Sequence, residues 1–476
     1  MSKYFVTTPI YYINDKPHIG NAYTTIVADV LARYWRQKLG KDNVFLLTGT
    51  DENSKQTIEA AKKVDQPIKT YTDTMAKQWQ SIWDQLGISY DRFIRTTEPD
   101  HEKAVAAVIQ KIYDAGDIYK GIYEGWYCFR CETFYREDEL VDKKCPLHKT
   151  EVEFIKEENY FFKLSKYQDQ LLKHIKENPD FVVPETRRNE VVAFIERGLE
   201  DISVSRASQK WGIKLSIDPN QVVYVWFDAL INYLTGIGYP KPEYKDWWPP
   251  VHLVGKDIIK FHCIIWPAML MSAGLELPKQ VVAHGFFTVD GAKMSKTTGN
   301  VVNPLDIIET YGNDALRYYL LTEFPFGSDG NFSHDRLARV YQSDLANDLG
   351  NLVQRVSKMV GQYLEGELKE NTPHTHDTIQ LEEAIGAYHF DIALKDIWTR
   401  IRGLNQMIDE EKPWVLARED KAQLAKVLYH VVADLLQIAE LLEPFLPTTA
   451  AKIKQTFSGK FIDVSVGMLF PRIETS

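Results

Sequence analysis

The chain of 476 residues is too long for a single hydrophobic core, and we expect about three domains. Its apolar fraction of 44% and charged fraction of 26% are typical of a globular protein in water, and no stretch approaches the roughly 20 apolar residues of a membrane span. The formal net charge of −10 argues against an indiscriminate nucleic-acid binder, so any contact with RNA should be a local patch.

The chain opens with a predicted strand, turn and helix. The β-branched and aromatic run from Tyr4 to Pro9 indicates a buried strand, which leaves no room before it for a signal or transit peptide. Residues 14–17 predict a turn, and apolar residues then recur at helical spacing as far as Gly40. His18-Ile-Gly-Asn21 would begin that helix, where N–H groups and the positive end of the dipole suit a polyphosphate. Taken alone, this pattern more often has no functional meaning.

A second strand is predicted from Asn43 to Thr48, followed by Gly49-Thr-Asp-Glu52. Loops that follow the strands of parallel sheets are where α/β proteins bind ligands, which makes Asp51 a candidate binding residue. Asp51 could equally well cap the next helix. We expect residues 1–118 to form the first half of a parallel α/β domain.

Residues 119–225 are predicted to be an insertion that carries a metal. Cys128-Phe-Arg-Cys131 is followed, after thirteen residues, by Cys145-Pro-Leu-His148. Two ligand pairs with two-residue gaps are typical of a zinc knuckle, and the alternative of three unconnected cysteines and a surface histidine fits this register poorly. Because four protein ligands leave no open position, the zinc should be structural.

Secondary structure is also predicted in the rest of the insertion and where the chain is expected to return to the parallel sheet. Within the insertion, residues 159–164 and 191–205 are predicted to be strands, and the parallel sheet is expected to resume at Val222. Cys263 is interpreted as a small buried hydrophobe, and cysteines without a disulfide framework favour a reducing cytoplasm. Residues 255–262 should close a strand and open a helix, in which His262 would most often be a satisfied interior histidine. After Val222, four residues fall at helical spacing, which alone would indicate core packing: Trp226, Ala229, Leu230 and Tyr233.

A glycine-flanked loop follows near residue 291, within the predicted second half of the catalytic domain, residues 226–325. It contains Lys293-Met-Ser-Lys296, and lysines in such a loop are usually solvated charge. Residues 326–476 then show long amphipathic helices, which predict a linker and an α-helical bundle. Asn351 and Arg355 share a face of one helix, and Pro413 and Trp414 begin another. An indole there is more often a core anchor, and an Asn/Arg pair is more often a solvated face.

His-Ile-Gly-Asn at a helix start, paired with the later Lys-Met-Ser-Lys-Thr, resembles the two signatures of the class I aminoacyl-tRNA synthetases, and the details are similar to the methionyl-tRNA synthetase family. The resemblance covers essentially the whole chain. It implies a Rossmann-like parallel-sheet catalytic domain, split by the zinc-knuckle insertion and followed by a C-terminal α-helical bundle. The family usually has a second histidine where Asn21 stands, and since asparagine can also donate a hydrogen bond, we expect a modest change in ATP contacts.

The same resemblance implies ATP-dependent ligation of L-methionine to its tRNA, with Mg²⁺ accompanying ATP and Zn²⁺ as a structural metal. We expect a cytoplasmic monomer without a membrane partner. The implied catalytic residues are His18, Lys293 and Lys296. The implied ATP-binding residues are His18, Gly20, Asn21, Gly255, Asp257 and Lys296. The implied methionine-binding residues are Ile10, Tyr12, Asp51, Trp226, Ala229, Leu230, Tyr233, Ile258 and His262. The implied anticodon-binding residues are Asn351, Arg355 and Trp414, and the implied zinc ligands are Cys128, Cys131, Cys145 and His148.

Two other functions are compatible with part of the sequence. A cysteinyl-tRNA synthetase also has both signatures and a zinc, but its zinc is part of the amino-acid site, whereas the predicted ligands here lie in one separate segment. A non-catalytic tRNA-binding paralogue would have no reason to keep both His18 and the complete lysine loop.

Overall fold

The computed structural model describes residues 3–130, 132–135, 137–147, 149–293, 300–368 and 377–473, with the backbone alone at Lys293 and Val466. The chain divides into two compact units. The first consists of Met1–Pro17 and Trp35–His284, and the second of His18–Tyr34 and Gly285–Ser476. Among the described residues, no helix is both long enough and apolar enough to cross a membrane.

The described strands, numbered in chain order, are β1 Tyr4–Tyr12, β2 Val44–Asp51, β3 Arg92–Arg95, β4 Ile118–Cys128, β5 Thr133–Tyr135, β6 Glu153–Phe162, β7 Val182–Val183, β8 Ile202–Ser203, β9 Ser205–Arg206, β10 Lys214–Leu215, β11 Asp218–Val223, β12 Val251–Gly255, β13 Gln280–His284, β14 Phe287–Val289, β15 Ala292–Lys293 and β16 Gly330–Phe332.

The described α-helices are α1 Ile19–Leu39, α2 Lys55–Lys63, α3 Ile68–Gln85, α4 Pro99–Asp114, α5 Gln168–Glu177, α6 Glu185–Glu196, α7 Val225–Ala229, α8 Asn232–Thr235, α9 Trp266–Ser272, α10 Pro304–Tyr311, α11 Asn313–Thr322, α12 His334–Val340, α13 Asn351–Tyr363, α14 Ile379–Gly386, α15 Phe390–Glu411, α16 Pro413–Glu419, α17 Lys421–Leu442 and α18 Pro447–Phe457. The chain also forms π-helical turns at Phe261–Ile265 and Tyr341–Gly350.

The first unit is built on a six-stranded parallel sheet of order β3-β2-β1-β12-β13-β7, which confirms the predicted parallel α/β core. The chain passes from β1 outwards to β2 and β3, and later returns to β12 on the other side of β1. The strand order therefore reverses between β1 and β12. In open α/β sheets, the crevice at the carboxyl ends of two such strands is the usual ligand site.

Pro9 lies inside the central strand β1, where a residue without an N–H group would normally interrupt the ladder. The pairing of β1 with β2 shifts its register between Thr7 and Ile10, which is a bulge that accommodates the proline. Beyond the bulge, pairing continues to Tyr12 opposite Asp51. The bulge thus lets β1 reach the carboxyl edge of the sheet beside β2.

Three predictions about the insertion are wrong. Residues 191–196 are helical, within α6, because Val191 and Ile195 are buried one helical turn apart, and only short strands follow at 202–206. Val222 belongs to a separate antiparallel sheet of order β10-β11-β9, and the strand of the parallel sheet that follows it in the chain is β12. The short strand β7, inside the predicted insertion, forms the edge of the parallel sheet by pairing with β13.

The rest of the insertion is a long antiparallel ribbon. Strands β4 and β6 pair continuously from Ile118 opposite Phe162 to Tyr127 opposite Glu153. Strand β5 joins the outer side of β4, and β8 joins β6. The predicted strand at residues 159–164 is confirmed as far as Phe162.

The second unit contains the predicted helical region. Helix α12, the π-helical segment and α13 follow one another in right-handed helical conformation, which makes one continuous helix from His334 to Tyr363. One apolar stripe of this helix is completely buried: Leu345, Leu349, Leu352, Val356 and Val360. Helices α10 and α11 precede it in this unit.

Candidate active site

Three predicted site residues end neighbouring strands at the reversal point of the parallel sheet. Tyr12, the last residue of β1, is in register with Asp51, the last residue of β2. On the other side of β1, strand β12 ends at Gly255. Because parallel strands present their carboxyl ends at one edge, these residues stand where α/β sheets bind ligands.

Asp51 is buried, with 2% of its surface exposed. Its burial, followed by the nearby carboxylate of Asp228, raises the pKa of Asp51 well above the usual range. The alternative interpretation of Asp51 as a helix cap is wrong, because Ser54 caps α2 by accepting the Thr57 N–H at 3.1 Å. Asp51 Oδ1 instead accepts the Asn53 N–H at 3.2 Å. A buried acid in this setting is suited to a cationic ligand group, which would stabilise its charged form.

Asp228, a residue that the sequence analysis does not identify, is the centre of a buried hydrogen-bond network. Its Oδ1 lies 2.7 Å from His101 Nε2, and its Oδ2 accepts the Asn53 side-chain amide at 2.7 Å. His101 Nδ1 in turn lies 2.9 Å from Thr235 Oγ1. The signal that could have found Asp228 is an acidic residue within the otherwise apolar run of residues 222–231, since a buried charge requires partners.

Aromatic rings form much of the predicted methionine pocket. Trp226 stacks on Phe261 with ring centroids 3.6 Å apart and an interplanar angle of 6°. The Tyr233 hydroxyl lies 2.7 Å from His262 Nε2, and His262 Nδ1 lies 3.0 Å from the Ile258 carbonyl oxygen. Nδ1 must therefore carry the proton and donate to that carbonyl, so Nε2 accepts from the tyrosine. Burial lowers the pKa of His262 to about 4, so the ring is a neutral, satisfied interior histidine, as predicted.

The other predicted pocket residues belong to the same region of the first unit. Ile10, Tyr12 and Ile258 are partly buried and pack against the hydrophobic cluster that contains Trp226 and Leu230. Ala229 is also buried, at 5% exposure. The predicted methionine-binding set is therefore brought together around one end of the parallel sheet.

Two polar atoms in this region have no hydrogen-bond partner among the described residues. They are the hydroxyl of Tyr12 and Nε1 of Trp226, and both atoms are buried. Buried polar atoms are normally satisfied, so each requires a bound water or a ligand atom. Both can donate a hydrogen bond, which suits the weakly accepting sulfur of a thioether or an oxygen of the ligand.

The start of α1, in the second unit, is capped by two hydrogen bonds that involve side chains. The Gly20 N–H donates to His18 Nδ1 at 3.1 Å, and the His18 N–H donates to Asn21 Oδ1, also at 3.1 Å. This resembles a capping box, except that the side chain of the residue before the helix accepts the second helical N–H, that of Gly20, and not the third, that of Asn21. Since Nδ1 accepts, a neutral His18 ring carries its proton on Nε2. Asn21 therefore acts here as an acceptor that holds the backbone of His18.

The predicted ATP-binding residues are divided between the two units. His18, Gly20 and Asn21 belong to the second, and Gly255 and Asp257 to the first. A Cβ at Gly255 would lie 2.6 Å from Asp257 Oδ1, so a larger residue there would displace the Asp257 carboxylate from its present position.

The lysine loop is described only in part. The backbone of Lys293 lies in β15 and pairs with Thr288 of β14. Lys296, which is predicted to be catalytic, lies outside the described residues.

Two of the four predicted zinc ligands are described, and they come together. Cys128 and Cys145 are both completely buried in one small cluster with Tyr135. Cys131 and His148 lie outside the described residues, and the described part alone contains no group of three or more side chains that could hold a metal. Neither described cysteine forms a disulfide, and both thiols meet hydroxyl groups: Cys145 Sγ lies 3.7 Å from the Tyr135 hydroxyl.

The predicted anticodon residues lie on the helical region of the second unit. Asn351 is exposed at the start of α13, and Arg355 pairs with Asp409 of α15 at 2.7 Å. Pro413 is the first residue of α16, as predicted, and Trp414 follows it with 44% of its surface exposed. The interpretation of Trp414 as a core anchor is therefore wrong.

Comparison with known proteins defines the class. The family model described as tRNA synthetases class I (M) matches residues 4–153 and 136–357. Methionine–tRNA ligase of Thermotoga maritima is 45% identical over 95% of this chain and 74% of its own length, and that of Thermosynechococcus vestitus is 45% identical over 95% and 90%. The methionyl-tRNA synthetase of Mycobacterium tuberculosis, solved in complex with methionyl-adenylate, superposes with a TM-score of 0.92 and 38% identity, covering 99% of this chain and 100% of that one. The chain therefore belongs to the methionyl-tRNA synthetases, a family of class I aminoacyl-tRNA synthetases.

Proposed function

We propose that this chain ligates L-methionine to its cognate tRNA through a methionyl-adenylate formed from ATP. The observation that carries this conclusion is a buried acid, Asp51, beside an aromatic pocket at the reversal point of the sheet, in a chain of this family. An ammonium group would stabilise the charged form of Asp51, and aromatic faces with apolar walls suit a flexible, polarizable thioether. Because the relatives named above are methionine–tRNA ligases, a cysteine-specific enzyme or a non-catalytic paralogue is the less well supported function.

The proposed reaction has two steps. A carboxylate oxygen of methionine attacks the α-phosphorus of ATP, the bond to the bridging oxygen breaks, and pyrophosphate leaves. The terminal 2′-hydroxyl of the tRNA then attacks the carbonyl carbon of the mixed anhydride, loses its proton and displaces AMP. No covalent bond to the protein is needed, so the protein contributes positioning and stabilisation of charge on the phosphates.

We assign the phosphate contacts to the two signatures. The start of α1 offers the positive end of the helix dipole and, with Nδ1 of His18 occupied by Gly20, the Nε2 proton as a donor. Lys293 and Lys296 are proposed to neutralise the leaving pyrophosphate. Mg²⁺ enters with ATP and offsets the charge of its phosphates.

We propose a structural zinc bound by Cys128, Cys131, Cys145 and His148. The donor set fits, because two of the thiols lie in a small buried cluster that has few apolar residues of its own. Three thiolates and one imidazole give zinc the closed tetrahedral shell of a structural site. The metal would then stabilise a part of the insertion that cannot build a sufficient core.

The helical region is proposed to read the anticodon through Asn351, Arg355 and Trp414. Unpaired loop bases are recognised by stacking on exposed aromatic rings and by hydrogen bonds to their edges. The exposed indole at the start of α16 supplies such a ring. We further propose that the chain works as a cytoplasmic monomer whose parts are residues 1–118, 119–225, 226–325 and 326–476.

The decisive experiment is ATP–pyrophosphate exchange with each of the twenty amino acids in turn. Exchange driven by methionine, together with methionine-dependent charging of its tRNA, is the expected outcome. Exchange driven by cysteine, or by no amino acid, would overturn the proposal.

A further inference from the structure

We propose that Glu132, carried by the insertion, is a positioning residue for methionine binding that acts by fixing the start of helix α2. The inference rests on the proposed function and adds a residue outside the set predicted from the sequence. It links the insertion to the segment that carries Asp51.

The Glu132 carboxylate caps a helix that lies far from it in the chain. Its Oε1 accepts the N–H groups of Lys55 at 2.7 Å and Gln56 at 3.3 Å, which are the first two of α2. Ser54 satisfies the third, that of Thr57. The initial N–H groups of a helix have no partner within it, and a carboxylate there also meets the positive end of the dipole. Glu132 thus accepts the two N–H groups of α2 that Ser54 does not cap.

Glu132 is itself fixed from the insertion side. Its side chain is 1% exposed, its Oε2 accepts the Tyr127 hydroxyl, and its carbonyl oxygen accepts the Tyr224 hydroxyl. The side-chain amide of Gln56 also donates to the carbonyl oxygen of Arg130 at 2.5 Å. The bonds to the Glu132 carboxylate are of the charge-assisted type, which is roughly twice as strong as the neutral type, so the junction is well determined.

The junction adjoins the proposed methionine site. Asp51 ends β2, three residues before the cap Ser54, and Asn53 between them holds Asp228. Burial is the main cause of the raised pKa of the Tyr12 hydroxyl, and the carboxylates of Asp51 and Glu132 raise it further. These three side chains therefore lie near one another. A displacement of the start of α2 would therefore shift the carboxylate proposed to hold the ammonium of methionine, and shifts of about 1 Å can cost as much as 100-fold in rate.

The test compares Glu132→Ala and Glu132→Gln in pyrophosphate exchange with purified, zinc-containing protein. Glu132→Ala should raise the KM for methionine by about tenfold or more and leave the KM for ATP within about twofold. Glu132→Gln should recover most of this loss, because its amide oxygen still accepts the N–H groups of Lys55 and Gln56. Zinc content should stay at the level of the unaltered chain in both variants.

A matched pair at Lys55 separates the helix contact from other effects. Lys55→Pro removes the closer of the two N–H groups that Glu132 accepts, and proline is tolerated at the first position of a helix. Lys55→Ala keeps that N–H and removes the side chain beyond Cβ, including the ammonium, which lies 4.4 Å from the centre of the Phe129 ring and 3.9 Å from Glu153. Lys55→Pro should reproduce the loss seen in Glu132→Ala and add little to it in the double variant, whereas Lys55→Ala should be nearly silent.

Amide hydrogen exchange gives a readout that does not depend on activity. Glu132→Ala should increase the rate of amide hydrogen exchange over residues 53–57, and Glu132→Gln should increase it much less. The inference is overturned if Glu132→Ala leaves both the methionine KM and this exchange unchanged, or if it raises the KM values for methionine and ATP equally. Failure of the unaltered chain to use methionine would instead overturn the proposed function.

Discussion

His101 Nε2 and Asp228 Oδ1 lie 2.7 Å apart, and neither side chain is exposed to solvent. Asn53 also donates to Asp228, which connects the end of β2 to the segment that carries Trp226. Two proposed walls of the methionine pocket are thus joined by a buried carboxylate. Since a buried charge is tolerated only when it is paired and hydrogen-bonded, this network fixes their relative position.

The first prediction concerns that pair. His101→Phe should lower the free energy of unfolding by about 3–5 kcal/mol, because it leaves Asp228 buried with the Asn53 amide as its remaining described partner. Urea denaturation would measure the change. Lys69→Ala is the control, because Lys69 and Asp73 form a helical pair that is largely exposed and worth about 0.3–0.5 kcal/mol. A loss below about 1 kcal/mol in His101→Phe would contradict the prediction.

The second prediction concerns the pH dependence of stability. Burial lowers the pKa of His262 to about 4, against 6.5 when unfolded, so the unfolded chain binds more protons between these values. Stability from this group is therefore present above pH 6.5 and is lost as the pH falls towards 4. Between pH 7 and pH 5 the loss should be about 2 kcal/mol.

The measurement is the difference in unfolding free energy between pH 7 and pH 5, compared between the unaltered chain and His262→Gln. The variant should lose less stability over this interval. His334→Gln, at an exposed position, should behave like the unaltered chain. Equal pH dependence in all three proteins would show that His262 titrates normally.

Much of the parallel sheet could be predicted from sequence, and the reasons are local. Strands β1, β2 and β12 are β-branched and aromatic runs that end in glycine, acidic or turn residues, so pattern alone locates them. The two-residue strand β7 carries no periodic signal, and only its pairing with β13 defines it. The helix at Glu185–Glu196 was missed because its valines suggested a strand, although tertiary packing decides such segments.

The residues of the candidate site also differ in whether the sequence could predict them. Asp51 could be found because it follows a predicted strand, whereas its role as a helix cap was excluded only by the observed bond of Ser54 to Thr57. Asp228 and Glu132 depend on partners that are distant in the chain, His101 and Lys55, and no local pattern encodes such pairs. Long-range hydrogen bonds are therefore what the structure adds to the sequence.

The third prediction concerns the proposed zinc. Cys145→Ala should abolish stoichiometric zinc and lower thermal stability, because the metal substitutes for a core in a cluster with few other apolar residues. Charging of tRNA should fall, while ATP binding should be retained. Cys263→Ala is the control, since Cys263 is buried within the main hydrophobic cluster and is outside the proposed ligand set. Full zinc occupancy in Cys145→Ala, by elemental analysis, would count against the ligands.

The last prediction concerns the anticodon. Trp414 is 44% exposed at the start of α16, so its indole is available for stacking on an unpaired base. Because such stacking is worth about 1–3 kcal/mol per base, Trp414→Ala should lower tRNA charging by about tenfold or more. Methionine-dependent pyrophosphate exchange needs no tRNA and should remain nearly unchanged.

The matched control is Ile392→Ala, which removes another exposed apolar side chain, 52% exposed, from the helical region. It should leave both activities intact. If Trp414→Ala lowers exchange and charging together, Trp414 contributes to the fold of the enzyme and the anticodon assignment is lost. A selective loss of charging that is also found in Ile392→Ala would point to a general effect of this surface, since stacking on a base requires the aromatic ring.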